Sequence, residues 1–348
     1  MIKNFKIGNV SFSENRCVII AEAGVNHNGS LKIAEKLIKE AKQAGADIIK
    51  FQTYKAEKLV VKKSPRFWSW SGENKKNGTQ YDSYNRLDSF NEKEYRQLFK
   101  LCKKNNIEFM STPFDDEAVE MLYKIGVKGF KIASCDINNY SLLSKVAQTK
   151  LPVLLSTGAS TLFEIKEAVK FLKKKGCNKV CIMQCTLCYP TVAKDVNLSV
   201  LLELKKIFPS NLIGFSDHTL GINIPSSSVL YGVRVIEKHF TINKKLKKSA
   251  DHWLSIDPKE LKDLRENVDE LLCAKGKKEK KVLKCELNTR KLARRSLVAK
   301  KYIKKGEKFS IKNVTPKRPG GGILPSHFYK ILGKIAKKNF QYDEKIKI

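Results

Sequence analysis

The sequence predicts an α/β protein that forms a (β/α)8 barrel, the TIM-barrel fold, followed by a small second domain. Short β-branched runs alternate with amphipathic helical patterns, and the alternation fills about 250 residues, the usual size of this barrel. The texture changes after residue 290, where short apolar pairs are separated by basic turns. An open doubly wound sheet is the competing fold, but AEAGVNHNGS at 21–30 lacks the glycine spacing of its phosphate loop.

Each predicted element rests on its own pattern of apolar residues. Apolar, mostly β-branched runs predict strands at 17–25, 46–53, 107–113, 129–134, 152–158, 179–186, 212–219 and 233–241. Helical periodicity predicts helices at 31–44, 92–105, 115–125, 140–148, 161–175, 197–208, 223–231 and 258–273.

Composition favours a soluble globular protein, since 42% of the 348 residues are hydrophobic. The sequence contains no apolar run of membrane-spanning length and no N-terminal signal-peptide pattern. We therefore expect a cytosolic (cytoplasmic) protein without a membrane partner. Nine cysteines, an odd number spread over predicted strands and helices, are expected to be reduced thiols.

The net charge of +33 raises the question of a nucleic-acid or anionic-surface partner. We expect no nucleic acid, because lysines follow the polar faces of predicted helices, as at 31–45 and 164–176, and no recognition motif is present. The densest basic run, at 275–284, is typical of a linker. The predicted domains are a barrel at 1–274, a basic linker at 275–289 and a small domain at 290–348.

Polar and ionisable residues stand at the carboxyl end of every predicted strand, where the active site of such a barrel lies. They are Glu22, Asn26, His27, Lys50, Gln52, Ser111, Thr112, Lys131, Ser134, Ser156, Thr186, Ser216, Asp217, His218, Glu237 and His239. Lys50 and Lys131 lie inside apolar strands, where an ammonium group is costly to bury, and together they imply a bound anion. His218 and His239 each end a buried strand, as a pair of metal ligands would, although a lone histidine there is more often structural.

Two further segments carry functional hypotheses. The stretch 54–91 shows no clear element of its own and contains aromatic residues, namely Phe67, Trp68, Trp70, Tyr81 and Tyr84. We predict that it forms a lid over the barrel mouth or packs against a partner chain. The KRPGGG stretch at 317–322 combines a cation with flexible backbone, but taken alone it is more typical of an ordinary glycine loop.

Ten motifs follow one another along residues 5–345: EAGVNHNGSL, KFQTYKAEKL, STPFD, FKIAS, LLSTG, CT..YP, GFSDHTLG, VIEKHFT, ADH..S.DP and KRPGGG. In this order and spacing they resemble the sialic acid synthase family, comprising N-acetylneuraminate synthase and its legionaminate and pseudaminate relatives. The resemblance implies a TIM barrel followed by an antifreeze-like (SAF-type) domain. It also implies a transferase that condenses phosphoenolpyruvate with an N-acetylmannosamine-type sugar, forming a nine-carbon sialic acid and releasing phosphate.

The resemblance also implies roles for individual residues. His218 and His239 match the family's ligands for a divalent metal, with Mn2+ expected and Mg2+ or Co2+ as alternatives. Matches to the phosphoenolpyruvate site are Lys50, Thr112, Lys131, Ser134, Ser156 and Ser216. Glu22 matches an acid/base or water-orienting residue. Matches on the sugar side are Gln52, Asp136, Tyr189, Asp251 and Arg318. The resemblance implies a homodimer in which Arg318 of the small domain reaches the partner's active site.

Departures from the family pattern lie on the sugar side, where Cys135, Asp136 and Leu187 replace more usual residues and GPDH reads SADH at 249–252. The sequence therefore indicates the reaction type more firmly than the sugar, although the motifs are closer to the N-acetylneuraminate and legionaminate branches. The alternatives are a pseudaminate synthase or another phosphoenolpyruvate-dependent aldose condensing enzyme. A third alternative is an inactive barrel that binds anions or nucleic acid.

Overall fold

The computed structural model describes residues 4–66, 68, 78–277 and 279–348. The chain divides into two compact units, Met1–Gly276 and Lys277–Ile348. The first unit contains a sheet of eight strands and the second a two-stranded sheet. The nine cysteines are all free thiols, as predicted. In the described part of the chain, no helix has the length and apolarity needed to cross a membrane.

The first unit is the predicted (β/α)8 barrel. Its strands are β1 (Phe5–Ile7), β2 (Val10–Phe12), β3 (Val18–Gly24), β4 (Ile48–Thr53), β5 (Glu108–Pro113), β6 (Phe130–Ile132), β7 (Val153–Ser156), β8 (Val180–Cys185), β9 (Leu212–Asp217) and β10 (Val235–His239). The eight from β3 onward match the predicted strands and form one sheet in the order β5-β4-β3-β10-β9-β8-β7-β6. The paired neighbours are parallel, and β5 and β6 lie side by side where the sheet closes.

The helices surround this sheet. They are α1 (Leu31–Gln43), α2 (Ala56–Leu59), α3 (Gln80–Asn85), α4 (Glu92–Lys104), α5 (Asp116–Ile125), α6 (Tyr140–Gln148), α7 (Leu162–Lys174), α8 (Val200–Ile207), α9 (Asn223–Ser228) and α10 (Pro258–Lys275). Side-chain caps mark their starts: Thr161 and Glu164 form a capping box at α7, and Asp257 and Glu260 form another at α10. Their apolar faces pack on the outside of the strands in one continuous core.

A hairpin of β1 and β2, which the sequence analysis did not predict, packs against the interior of the barrel. Phe5 and Phe12 stack with ring centroids 4.9 Å apart. They join a core cluster with interior residues from early positions of the barrel strands, among them Val18, Ile48 and Val235. The hairpin therefore fills the end of the barrel that is opposite the carboxyl ends of the strands.

We expect Phe12→Ala to lower the free energy of unfolding by about 3–5 kcal/mol, because it removes a fully buried ring from a packed core. Phe12 is 1% exposed. Urea unfolding followed by circular dichroism measures the change. Phe163→Ala is the matched control, since that ring is 72% exposed and its removal should cost less than about 0.5 kcal/mol. Equal losses in the two variants would contradict a structural role for the hairpin.

The stretch 54–91 contains two short helices, α2 and α3, and not the element-free loop that the sequence suggested. Thr79 and Asp82 form a capping box that starts α3. Val25, Tyr54 and Leu87 form a small apolar cluster beside the barrel mouth, and Tyr84 packs on it. Of the predicted lid aromatics, Phe67 and Trp70 lie outside the described residues.

The second unit has a core of its own. Its strands β11 (Ser296–Ala299) and β12 (Val314–Lys317) pair antiparallel, and its helices are α11 (Leu287–Ala293) and α12 (Phe328–Ile331). Apolar residues spread along the unit form its core, namely Leu297, Ala299, Ile303, Phe309, Val314, Ile331, Ala336, Phe340 and Ile346. Helix α11 begins inside the segment predicted as linker, whose bounds at 275 and 289 remain a prediction.

Candidate active site

A cavity of about 370 Å³ opens at the carboxyl ends of the barrel strands. It brings together most of the predicted site residues: Glu22, Lys50, Gln52, Thr112, Lys131, Ser134, Ser156, Tyr189, Ser216, His218, His239 and Asp251. The cavity lining does not include five further strand-end residues, namely Asn26, His27, Ser111, Thr186 and Asp217. Of the residues that the family resemblance implied, Asp136 is absent from the lining and Arg318 belongs to the second unit. Asp136 is half-buried just after β6 and accepts a hydrogen bond from Asn139 at 3.2 Å, and Arg318 is an exposed residue of the second unit.

Two buried lysines and two buried carboxylates form the floor of the cavity. Lys50 Nζ lies 2.7 Å from Glu22 Oε2 and 3.7 Å from Glu237 Oε1. Lys131 Nζ lies 2.7 Å from the same oxygen of Glu237. Alternation along the strands directs these side chains inward, because residues two apart share a face. The four charges balance one another, which makes burial of the two ammonium groups tolerable.

The pKa values of the two buried carboxyl groups are shifted in opposite directions. Burial alone would raise the pKa of Glu237, but the ammonium groups of Lys131 and Lys50 lower it to about 2. For Glu22, burial outweighs the nearby Lys50 and raises the pKa above its usual value. Glu22 is therefore the carboxyl group of the pair that takes a proton more readily, which suits an acid/base role.

Hydroxyl groups line the same cavity as the two lysines. Thr112 Oγ1 accepts a hydrogen bond from Lys50 at 2.9 Å, and Ser216 donates one to Glu237 at 3.0 Å. Ser134 accepts from the backbone N–H of Gly158 at 2.9 Å. Among the described residues, the buried Ser156 Oγ has no hydrogen-bond partner. An unpaired buried hydroxyl that lines the same cavity as two ammonium groups is a ready donor for a phosphate or carboxylate oxygen.

His218 and His239 lie on one side of the cavity with ring centroids 5.5 Å apart. His218 Nδ1 is 2.9 Å from the Thr186 carbonyl oxygen, so this nitrogen carries a proton and Nε2 is the ring nitrogen that a metal would bind. Burial alone would lower the pKa of His218, but the nearby Cys185 outweighs it and raises that pKa. His239 Nδ1 is buried without a hydrogen-bond partner among the described residues, and Asp251 Oδ2 lies 3.7 Å from it. Burial, reinforced by His218, lowers the pKa of His239 well below its usual value.

The ring nitrogens of these two histidines fit a divalent metal, because imidazole nitrogens are ligands that such an ion binds. Within the described ranges, no three His, Cys, Asp or Glu side chains come close enough together to form a metal cluster. Tyr189 packs against His218 with ring centroids 4.1 Å apart and helps to hold that ring in place.

Apolar side chains line another part of the cavity. Its lining residues come from the 54–91 stretch and from loops that follow the strands, and include Leu59, Val60, Trp68, Tyr84, Leu87, Phe114, Leu187 and Trp253. The ring centroids of Trp68 and Tyr84 are 6.0 Å apart, edge to face. The predicted lid therefore does contribute to the wall, whereas its Tyr81 does not line the cavity. Cys135 and Leu187, two departures from the family pattern, do line it.

Sequence reasoning did not assign a role to Glu237, although it placed this residue at a strand end. The signal was present, because Glu237 stands two positions before His239 in the same strand and so shares its inward face. Cys185, whose Sγ lies 3.8 Å from His218 Nδ1, was missed as well. It ends β8, the sixth of the predicted strands, and resembles an ordinary buried thiol in sequence.

The fold and the cavity define a TIM-barrel enzyme with a charged pocket at the carboxyl ends of its strands, followed by a small β domain. More particularly, the chain belongs to the NeuB family, whose model matches residues 37–280. A SAF domain model matches residues 294–347, which confirms the predicted type of the small domain.

Individual relatives agree with this assignment. The chain is 42% identical to N,N'-diacetyllegionaminic acid synthase of Campylobacter jejuni, over 95% of this chain and 99% of that protein. It is 33% identical to human N-acetylneuraminate-9-phosphate synthase, over 96% of this chain and 92% of the other. A crystal structure of N-acetylneuraminic acid synthetase from Leptospira borgpetersenii, in complex with citrate, is 36% identical and superposes with a TM-score of 0.73, covering 83% of this chain and 95% of that one.

Proposed function

We propose that this protein condenses phosphoenolpyruvate with an N-acetylated mannose-type sugar, forming a nine-carbon sialic acid of the N-acetylneuraminate or legionaminate type and releasing phosphate. The observation that carries the proposal is that two buried lysines and two histidines line the same cavity. One side suits an anion with two acidic groups, and the other suits activation of a carbonyl group. Relatives named as synthases of such acids support the same reaction.

In this proposal the floor of the cavity binds phosphoenolpyruvate. Lys50 and Lys131 supply positive charge for its phosphate and carboxylate groups, and Thr112, Ser134, Ser156 and Ser216 supply hydroxyl donors. The anion competes with Glu22 and Glu237 for the two ammonium groups. Glu22, with its raised pKa, is the residue that holds or moves a proton near the reacting carbons.

His218 and His239 would hold the divalent metal, for which we propose Mn2+. When bound, the ion supplies Lewis-acid polarisation of the sugar's aldehyde oxygen. Gln52, Tyr189 and Asp251 line the remaining space and orient the sugar. Gln52 already donates a hydrogen bond to Glu22 Oε1 at 3.2 Å, so the sugar side and the acid/base residue are linked.

The proposal extends to assembly and location. We infer a cytosolic homodimer in which the small domain lies over the partner's active site and Arg318 contacts the sugar there. This inference rests on the family resemblance and on the SAF match. Asp136 stays in the proposal as a residue on the sugar side. Because it does not line the cavity, we assign it only a secondary contact with the sugar.

The direct test is phosphate release from phosphoenolpyruvate by the purified protein with Mn2+. The sugars compared are N-acetylmannosamine, its 2,4-diacetamido-6-deoxy analogue and unacetylated mannose. We expect release that requires both the metal and an acetylated sugar, and the preferred sugar identifies the branch. A chelator should abolish release and added Mn2+ should restore it. Folded protein that releases no phosphate with any of the three sugars would refute the proposal.

Arg318→Ala is expected to raise the KM for the sugar about tenfold or more while leaving the KM for phosphoenolpyruvate within about twofold. The reason is that one hydrogen bond between charged and neutral groups is worth about 1.5–3 kcal/mol. Steady-state kinetics with each substrate varied in turn measures both constants. Arg290→Ala, another exposed arginine of the small unit, is the matched control. An unchanged sugar KM in Arg318→Ala would count against the inter-subunit contact.

A further inference from the structure

A buried ion pair lies on the strands that carry the two histidines, directed away from the cavity. Lys238 of β10 and Asp217 of β9 are register neighbours, and Lys238 Nζ is 2.6 Å from Asp217 Oδ2. Each side chain is 1% exposed. Because side chains alternate along a strand, this pair faces the helices while Glu237 and His239 face the interior. Neither partner has a place in the reaction proposed above.

The pair stands where the backbone ladder between these two strands ends. Asp217 and Lys238 form the last register pair of β9 with β10. His218 and His239 follow each of them by one residue, and their ring centroids are 5.5 Å apart. The ion pair therefore ties the strands together at the last rung before the two histidines.

The same pair holds the chain on the far side of His218. Asp217 accepts hydrogen bonds from Thr219, at 3.1 Å from the backbone N–H and 2.8 Å from the hydroxyl group. Lys238 also donates to the Thr219 carbonyl oxygen. His218 thus lies between two residues that are fixed by one buried network, and its own carbonyl oxygen accepts from the Thr191 N–H at 3.0 Å.

We infer that Lys238 is a positioning residue, which through Asp217 sets the spacing of His218 and His239 and so the affinity for a divalent cation. The inference rests on the proposed metal role of those histidines. A buried ion pair contributes little net stability, because desolvation of both charges offsets their attraction. Its effect on local geometry is larger, since groups behind metal ligands orient them and their loss typically weakens metal affinity by about 10- to 100-fold.

The test is calorimetric titration of the full chain with Mn2+ alone. We expect the Kd for Mn2+ to rise about 10- to 100-fold in Lys238→Met relative to the wild type. Arg265→Met is the matched control. Arg265 Nη1 lies 3.5 Å from Asp47 Oδ2 in another largely buried ion pair, but Asp47 precedes β4 and so lies at the opposite end of the barrel. That variant should lose resistance to urea without a change in Mn2+ affinity.

A second variant separates positioning from folding. Lys238→Met leaves the Asp217 carboxylate buried and unpaired, which is destabilising in itself. In Asp217→Asn/Lys238→Met the unpaired charge is gone, so we expect urea resistance to recover while Mn2+ binding stays weak.

Three outcomes would overturn the inference. An unchanged Mn2+ affinity in folded Lys238→Met would overturn the positioning role alone. Recovery of affinity together with stability in the double variant would show that the pair acts only on folding. Absence of Mn2+ binding by the wild type would overturn the metal site itself, and this inference with it.

Discussion

Replacing His239 with alanine is expected to reduce metal-dependent phosphate release about a thousandfold and to leave the fold intact. The imidazole is one of two that would hold the metal, and Lewis-acid activation is worth several kcal/mol. Each loss of about 1.4 kcal/mol lowers a rate tenfold. His239 Nδ1 has no hydrogen-bond partner among the described residues. Removing this nitrogen therefore leaves none of those residues with a lost hydrogen bond. The measurement is initial rate against Mn2+ concentration, with circular dichroism on the same samples.

His27→Ala is the control for this prediction. His27 is also buried and follows a barrel strand, but it stacks on Phe90 with ring centroids 4.1 Å apart and does not line the cavity. The His27→Ala variant should be less stable than the wild type, and its phosphate release should still depend on Mn2+. If His239→Ala turned over at the wild-type rate, the metal assignment would have to be abandoned. His218→Ala should behave like His239→Ala.

The barrel could be predicted because each strand carries its own signal. Eight β-branched runs, each followed by a helical period, leave few other arrangements. The hairpin of β1 and β2 was not predicted because strands of three residues are too short to show a clear alternation of apolar and polar residues. Its signal was Gly8-Asn9 between the alternating apolar residues Phe5, Ile7, Val10 and Phe12, which is a recognised two-residue hairpin turn. Helices α2 and α3, of four and six residues, are too short for a 3.6-residue period to show.

The chemistry of the site could be predicted in part from the cost of burial. A lysine inside an apolar strand needs a reason, and so Lys50 and Lys131 pointed to an anion. The sequence could not say which carboxylate each lysine contacts, because that depends on how β10 lies against its neighbours in the closed sheet. Glu237, which contacts Lys131 at 2.7 Å, therefore had no assigned role. The sequence also could not show that Asp136 lies in a turn after β6 and does not line the cavity.

Lys131→Met is expected to weaken phosphoenolpyruvate binding by about 2–5 kcal/mol, the usual cost of truncating one partner of a buried charge pair. That range corresponds to roughly thirtyfold to several thousandfold in affinity. Two effects add. The substrate anion loses its contact with the Lys131 ammonium group, and the negative charge of Glu237, no longer balanced by that group, repels the anion. Calorimetric titration with phosphoenolpyruvate and its kcat/KM measure the loss. Mn2+ affinity should change far less, because neither histidine is altered.

The double variant Lys131→Met/Glu237→Gln separates the two effects. With the carboxylate neutralised, any remaining loss of phosphoenolpyruvate affinity reports the contact that Lys131 itself makes with the anion. Lys145→Met, which breaks an ion pair with Glu120 between outer helices, controls for simple loss of positive charge. Full recovery of affinity in the double variant would mean that Lys131 serves only to balance Glu237. In that case Lys50, which also faces Glu237 at 3.7 Å, would be the lysine that holds the substrate.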